Sequence, residues 1–290
     1  MAEYRIITDS TTDLAPEMIR ELGVQVAPLC YVMDGSTYHN IPGGGEMSDQ
    51  AFYQKLREGT MPTTTQINSE EFVALFTPVL EAGEDILYIA FSSGLSGTCQ
   101  SAHLAARELK DRFSERRVEV FDSLCASMGE GLLVYHAATR KNQGATLDEV
   151  LTWLKENVLH LCHWFTVDDL NHLKRGGRVS TATALVGTML GIKPVLHVDD
   201  EGHLIPVSKV RGRKQSLDAL VKKMEETAID PKDQVVFLSH GDCLEDARYV
   251  AKQVKEKLGV KEVKINFIGP VIGAHSGPGT VALFFLGSTR

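Results

Sequence analysis

The first half of the chain alternates short apolar runs with longer amphipathic stretches. The runs at 4–8, 25–33, 85–91 and 117–122 are bounded by polar turns, which is typical of buried strands. The stretches between them carry helix-start residues, such as Pro16 at a first helical turn. Strands that alternate with helices in this way predict an α/β architecture with a mostly parallel sheet.

Adjacent strands replace this alternation in the second half of the chain. The segments IKPVLHV and HLIPVSKV flank the sequence DDEG, and this arrangement predicts a β-hairpin. Hairpin strands mixed with helices are typical of an α+β domain. We therefore expect two domains, an α/β domain over residues 1–159 and an α+β domain with a mixed sheet over residues 160–290.

Composition and charge narrow the class of protein. The 290 residues are 43% hydrophobic and 23% charged, and a formal net charge of −8 argues against a nucleic-acid partner. No apolar run approaches the roughly 18 residues of a membrane helix, and the first residues lack the pattern of a secretory signal. Five cysteines occur singly, as free thiols do in a reducing compartment. We expect a cytoplasmic protein without a membrane span.

Three turns rich in hydroxyl side chains follow predicted strands: TDSTTD at 8–13, SSGLSGT at 92–98 and DSLCASMGEG at 122–131. Ligands of open α/β sheets bind beyond the carboxyl ends of the strands, and helix N-termini there stabilise anions. Helix capping accounts for TDSTTD, because Ser, Thr and Asp are common caps. Capping needs only one hydroxyl, however, and SSGLSGT supplies four. This surplus indicates a ligand site.

A serine esterase is the alternative interpretation of the same turn. The sequence GLSGT nearly matches the G-x-S-x-G nucleophile pattern, but Thr98 stands where the second Gly belongs. Ser96, Asp242 and His275 follow the chain order of a hydrolase triad. Ten histidines in one chain make such an order easy to find by chance. The sequence shows neither a P-loop nor clustered metal ligands, so we expect no cofactor.

The C-terminal sequence IGPVIGAHSGPGT surrounds His275 with two Pro and four Gly. These residues predict a rigid loop rather than a regular helix, with the backbone free to approach a ligand closely. Because such a loop would hold the His275 ring in a fixed position, we expect His275 to contact the ligand. The basic sequence KVRGRK predicts a solvated turn, in which the role of Arg211 stays open.

Seven motifs together resemble the DegV family of bacterial fatty-acid-binding proteins. They run from residue 4 to the C-terminus and read TDSTTDL, PTTTQ, SSGLSGT, FDSLCASMGEG, LKRGGRVS, GIKPVL and GPVIGAHSGPGT. The resemblance implies an N-terminal three-layer α/β/α domain and a C-terminal α+β domain that hold one long-chain fatty acid between them. It also implies a carrier without catalysis of its own. Such a carrier presents the carboxylate to a separate fatty acid kinase, which holds ATP and Mg and forms an acyl phosphate for phospholipid synthesis.

The resemblance also implies which residues bind the ligand. The carboxylate partners fall on Thr64 in PTTTQ and on Ser96 in SSGLSGT, and Arg211 and His275 match further polar positions near the head group.

One motif departs from the family pattern. The family usually reads Thr-Ser-Gln-Pro where this chain has Thr64-Thr65-Gln66-Ile67. Loss of the proline leaves open which of Thr63, Thr64 and Thr65 faces the ligand.

The chemistry of a buried fatty acid sets further expectations. A C16 tail gains about 11 kcal/mol gross on burial at about 0.8 kcal/mol per methylene, and its carboxylate needs hydrogen-bond donors. We expect those donors to be uncharged, so that the oxygens stay reactive. The apolar walls are expected from VALFFL and from a helix after the LKRGGR turn, and Arg175 and Arg178 of that turn are expected to form a docking surface for the kinase. The helical wall residues are Leu185, Met189, Leu190 and Ile192.

Overall fold

A computed structural model describes residues 3–43, 45–180 and 191–290 of the chain. The strands are β1 Tyr4–Asp9, β2 Gln25–Ala27, β3 Cys30–Met33, β4 Ser36–His39, β5 Thr63–Thr65, β6 Asp85–Ala90, β7 Val118–Asp122, β8 Leu161–Thr166, β9 Ile192–Val198, β10 Leu204–Arg211, β11 Val235–His240, β12 Glu262–Phe267 and β13 Val281–Leu286. The helices are α1 Pro16–Leu22, α2 Asp49–Arg57, α3 Ser69–Glu81, α4 Thr98–Arg112, α5 Met128–Asn142, α6 Leu147–Asn157, α7 Asn171–Arg175, α8 Arg213–Thr227, α9 Leu244–Leu258 and α10 Pro270–Ser276.

The N-terminal half is a three-layer α/β/α arrangement, as predicted. Its sheet has the strand order β2-β1-β6-β7, and every neighbouring pair is parallel. One face packs against α3 and α4 through a core that includes Phe72, Phe76 and Tyr88. The other face packs against α1, α5 and α6 through a core that includes Ile6 and Leu132. The carboxyl ends of these parallel strands lie beside the hydroxyl-rich turns.

The C-terminal half contains the predicted mixed sheet, with the order β10-β9-β8-β13-β11-β12. Only β11 and β12 pair in parallel, and β9 and β10 form the predicted hairpin. Helices α8 and α9 cover one face of this sheet. Helix α5 covers the other face, so it lies between the two large sheets. A helix that contacts a sheet on both sides must be apolar nearly all round, and nine of the 15 residues of α5 are buried.

A third, antiparallel sheet of order β4-β3-β5 was not predicted. The predicted strand at 25–33 was wrong, because it is two strands in different sheets with Pro28 between them. Proline lacks the backbone donor that a continuous strand would need, so the chain changes sheets there. In this small sheet Tyr31 pairs with Thr64, which fixes the place of the PTTTQ segment.

The C-terminal Gly/Pro-rich segment forms a helix, so the prediction of an irregular loop was wrong. Pro270 occupies the first turn of α10, where its missing N–H is not needed. The helix has seven residues, and its C-cap is Gly277, whose φ of 78° an L side chain rarely adopts. Gly273 lies inside the helix, where the Tyr53 hydroxyl leaves no room for a Cβ atom.

The LKRGGRVS segment is described only in part. Helix α7 and the glycine turn after it agree with the predicted helix and turn. The second predicted helix, with Leu185, Met189 and Leu190, lies outside the described residues. No helix in the described part of the chain is long and apolar enough to cross a membrane. The second large sheet begins at Leu161, and the exact domain boundary stays a prediction.

Candidate functional site

A cavity of about 450 Å³ lies between the parallel sheet's turns and the mixed sheet. This volume is within the usual range of small-molecule sites. Apolar side chains dominate its lining and include Phe165, Leu173, Leu204, Val271, Ala282 and Phe284. Polar groups enter from Thr64, Ser96 and His275, which the sequence analysis singled out. The structure therefore brings three of the four candidate residues to one cavity.

Thr64 contacts His275 directly. The Thr64 Oγ1 and His275 Nε2 atoms are 2.8 Å apart, at hydrogen-bond distance. Thr64 and Thr65 both line the cavity, but Thr64 is half-buried and Thr65 is exposed, and Thr63 is exposed and is not among the described residues of the lining. Successive side chains of a strand point to opposite faces, so the hydroxyl of Thr64 is the one that joins His275. The geometry favours Thr64 among the three threonines that the sequence left open.

Ser96 lies in the turn between β6 and α4. Its Oγ accepts a hydrogen bond from the Thr98 amide at 3.2 Å and lies 3.0 Å from Thr98 Oγ1. Helix α4 has 15 residues, and its N-terminus provides a partial positive charge beside Ser96. A Cβ atom on Gly97 would approach Gln66 Oε1 to 2.2 Å. Gly97 thus lets the segment after β5 pack against this turn.

His275 is neutral at physiological pH. Burial, with a smaller contribution from the nearby Arg178 guanidinium, lowers the pKa of His275 from 6.5 to about 4. Its Nδ1 atom is buried and has no hydrogen-bond partner among the described residues. A Cβ atom on Gly176 would lie 2.1 Å from that Nδ1, so the glycine turn after α7 packs on the ring. A neutral imidazole offers one donor and one acceptor.

Arg178 is a site residue that the sequence analysis assigned to another role. Its Nε and Nη2 atoms donate to the Leu95 carbonyl at 3.2 and 2.9 Å, and Nη1 donates to the Gly176 carbonyl. The side chain is half-buried and lines the cavity, and burial lowers the pKa of its guanidinium. Arg178 is therefore less accessible to a partner than Arg175, which is exposed, and the docking surface stays a prediction. Arg178 thus adds a charge to the polar end, whereas the expectation of uncharged donors to the carboxylate stays a prediction.

Arg211 lies apart from this group. It is exposed at the end of β10, where it pairs with Ile192. Neither residue is among the described residues that line the cavity. Head-group contact by Arg211 and a wall position for Ile192 stay predictions. Ala282 and Phe284, from the predicted wall segment VALFFL, do line the cavity.

The residues of the alternative esterase triad are not connected by hydrogen bonds in the described structure. The hydroxyl of Ser96 bonds within its own turn, and the Nε2 atom of His275 faces Thr64. Asp242 forms an ion pair with Arg57. A serine nucleophile needs a base within hydrogen-bond reach, which this arrangement does not provide. Groups of three or more metal-ligating side chains are likewise absent from residues 3–43, 45–180 and 191–290.

A buried carboxyl group supports the helix that carries His275. The Oδ1 atom of Asp13 accepts from the Gly269 amide at 2.9 Å, and its Oδ2 accepts from the Ser127 hydroxyl at 2.5 Å. Gly269 is the N-cap residue of α10, and Ser127 lines the cavity. Burial raises the pKa of Asp13 to about 8. The TDSTTD turn also caps its own 3-10 turn, as predicted, because Asp9 accepts from the Thr11 amide.

The fold and the cavity define an α/β protein in which two large sheets and their connecting turns enclose a mostly apolar cavity with a polar end. The family model described as "Uncharacterised protein, DegV family" matches residues 3–288. The chain belongs to the DegV family. It is 45% identical to a DegV domain-containing protein of Clostridium perfringens over 291 residues, which cover 100% of this chain and 99% of that one.

Solved structures of other DegV proteins share the fold. One is a DegV family protein from Thermus thermophilus, whose structure is described as showing fatty acid binding. It is 33% identical to this chain with a TM-score of 0.88, and the match covers 97% of this chain and 98% of that one. DegV of Bacillus subtilis, described as a fatty acid binding protein, is 29% identical with a TM-score of 0.86 and matches 98% of this chain and 99% of its own.

Proposed function

We propose that this protein binds one long-chain fatty acid in the cavity, with the carboxylate at Thr64, Ser96 and His275. The observation that carries the proposal is that one cavity combines these polar groups with an apolar remainder formed by side chains such as Phe165 and Phe284. The fatty-acid-binding descriptions of the Thermus and Bacillus relatives support the same ligand class.

The energetics suit such a ligand. A C16 tail contributes about 11 kcal/mol of gross apolar burial at about 0.8 kcal/mol per methylene. Association and ordering offset a large part of that gain, which leaves tight but reversible binding. A sequestered carboxylate is unfavourable unless its oxygens accept hydrogen bonds. The polar end offers the hydroxyl groups of Thr64 and Ser96 and the N-terminus of α4.

His275 and Arg178 would prepare the polar end for an anion. If the neutral His275 ring donates from Nε2 to Thr64 Oγ1, the threonine O–H is left to donate to the carboxylate. The Arg178 guanidinium lies in the same lining and already donates to two backbone carbonyls. Its charge therefore favours an ionised carboxylate at longer range, while the direct donors stay neutral.

We further propose that the protein is a carrier which presents its fatty acid to a separate ATP-dependent kinase in the cytoplasm. In that reaction a carboxylate oxygen attacks the γ-phosphorus of ATP, the bond to the ADP oxygen breaks, and an acyl phosphate forms. The kinase holds ATP and Mg, and this chain contributes orientation alone. The exposed Arg175, close in sequence to the cavity residue Arg178, would contact the kinase.

Native mass spectrometry of the protein purified from bacteria tests the binding proposal. We expect an added mass equal to that of a C16 or C18 fatty acid, and lipid extraction should release the same acid. Protein that retains no lipid and binds no added palmitate would contradict the proposal.

Acyl phosphate formation by the purified kinase with this protein and palmitate tests the carrier role. We expect formation to depend on this protein and Arg175→Glu to slow it without changing palmitate affinity. Unchanged turnover in that variant would remove Arg175 from the docking surface. Turnover by the kinase alone would contradict the carrier role.

Ser96→Arg should tighten head-group binding but block phosphorylation, and equal turnover would contradict the need for neutral donors.

A further inference from the structure

His163 is a polar side chain in the apolar part of the cavity. It lies on β8, is 1% exposed and lines the cavity beside Phe165 and Phe284. Its ring meets the Phe284 ring edge-on, with centroids 5.3 Å apart. A Cβ atom on Gly129 would approach His163 Nε2 to 2.0 Å, so α5 packs directly on the ring. These contacts hold the imidazole in place.

Neither ring nitrogen of His163 has a hydrogen-bond partner among the described residues. Burial lowers the pKa of His163 well below its ordinary value, and the charge of Arg290 acts in the same direction. The Leu161 backbone is the smallest of the influences on this pKa and acts in the opposite direction. The neutral ring keeps one donor and one acceptor. An unmade hydrogen bond of a buried polar group is unfavourable, and a purely hydrocarbon ligand would not relieve it.

The distance of His163 from the polar end can be estimated along β13. Thr280 lines the cavity at the start of this strand, and its hydroxyl bonds to the carbonyl of Ser276, next to His275. His163 pairs with Phe284, four residues further on. Four residues of strand span about 13 Å at about 3.3 Å each. An extended alkyl chain covers that length in about ten carbons, at about 1.3 Å per bond of 1.52 Å.

We propose that the cavity is adapted to a fatty acid that carries a hydroxyl or keto oxygen near the middle of its chain, and that His163 hydrogen-bonds this oxygen. The proposal rests on the fatty-acid function proposed above and specifies the ligand within it. A hydroxyl group is both donor and acceptor and pairs with either tautomer of the ring. A keto oxygen pairs with the N–H.

A site built to hydrogen-bond a ligand oxygen discriminates strongly against the analogue that lacks it. The reason is that the polar group of the protein is then buried unpaired. Phe in place of His163 would keep a planar ring between Gly129 and Phe284 without the two nitrogens. His163→Phe should therefore abolish the preference for the oxygen-bearing acid over the unsubstituted one, while the cavity keeps its apolar lining.

Competition binding with three pure acids tests the proposal: octadecanoic acid, 10-hydroxyoctadecanoic acid and 3-hydroxyoctadecanoic acid. We expect the wild-type protein to bind the 10-hydroxy acid about tenfold more tightly than octadecanoic acid, from one relieved hydrogen bond. The 3-hydroxy acid should gain nothing, because its oxygen lies far from His163. His163→Phe should lose the preference and bind octadecanoic acid at least as tightly as before.

The outcomes separate this proposal from the function on which it rests. Tight binding of octadecanoic acid without preference for the 10-hydroxy acid would overturn the role of His163 alone. Failure of all three acids to bind would overturn both proposals. If His163→Phe does not fold, the positional preference of the wild-type protein decides the matter by itself.

Discussion

The two ends of the cavity are built in different ways. The polar end draws on four separate segments: β5, the turn before α4, the turn after α7, and α10. Close contacts at Gly97 and Gly176 bring these segments together. Much of the apolar end comes instead from two neighbouring strands in register, in which Phe165 pairs with Ala282. The apolar end therefore follows from strand alternation, whereas the polar end depends on tertiary packing.

The largest effect is expected at the apolar end. Ala282→Trp would place an indole in the volume that we assign to the acyl tail. Palmitate affinity should fall by more than about a hundredfold, as two lost factors of ten correspond to about 2.7 kcal/mol. Isothermal titration with palmitate measures this change. Ala51→Trp, at an exposed position of α2, is the matched control and should bind normally. Normal binding by Ala282→Trp would place the tail elsewhere.

A smaller loss is expected at the polar end from Thr64→Val. The change keeps the shape of the side chain and removes the hydroxyl that bonds His275. Palmitate affinity should fall by roughly tenfold to a hundredfold, since a hydrogen bond to a charged group is worth about 1.5–3 kcal/mol. Thr63→Val changes the exposed neighbour in the same strand and should leave the affinity unchanged. Equal effects of the two substitutions in the same titration would argue against a head-group role for Thr64.

Arg178→Met should weaken binding less than loss of a direct donor. The guanidinium already bonds the carbonyls of Leu95 and Gly176, so its contribution to the carboxylate is long-range attraction. We expect a loss of about threefold to tenfold that shrinks as salt is added, because ions screen such attraction. Titration with palmitate at low and high salt gives both values. Arg175→Met is the exposed control, and an equal loss in both variants would contradict the assignment.

The smallest effect on binding is expected from Asp13→Asn, because this buried carboxyl group supports α10 rather than contacting the ligand, and its effect should appear in stability. The folded-state pKa of Asp13, about 8, lies above the ordinary value of 3.8, so the folded state holds a proton that the unfolded chain releases. This contribution to stability is complete below about pH 4 and is lost as the pH rises to about 8. The variant has no such proton. Urea unfolding from pH 5 to 8 should show the wild-type protein losing stability relative to Asp13→Asn. Parallel pH dependences would show that Asp13 is ionised in the folded protein.

The sequence predicted the regular elements of this fold well because their patterns are local. The strand β6 and the hairpin of β9 and β10 follow from apolar runs and turn residues. The small sheet was missed because β5 is three threonines, whose partners are set by tertiary contacts. Helix α10 was missed because a Pro at its first turn and a Gly in its interior resemble a loop in composition.

Ser96 was predicted as a site residue because its turn has more hydroxyl groups than helix capping needs. Thr64 and His275 were predicted because they lie in family motifs. Arg178 was assigned to a docking surface because a glycine pair flanked by cations has no evident role in a core. The glycine pair before it was the available signal, since Gly176 is the residue that packs on His275. His163 gave no signal in the sequence, because alternation in a strand does not reveal whether its partner is protein or ligand.

A crystal structure of the protein with palmitate would show directly where the carboxylate and the tail bind. We expect the carboxylate oxygens within about 3.2 Å of Thr64 Oγ1 and Ser96 Oγ, with the tail running past Ala282 toward Phe284. A carboxylate bound at the opposite end, or a tail outside this cavity, would contradict this expectation.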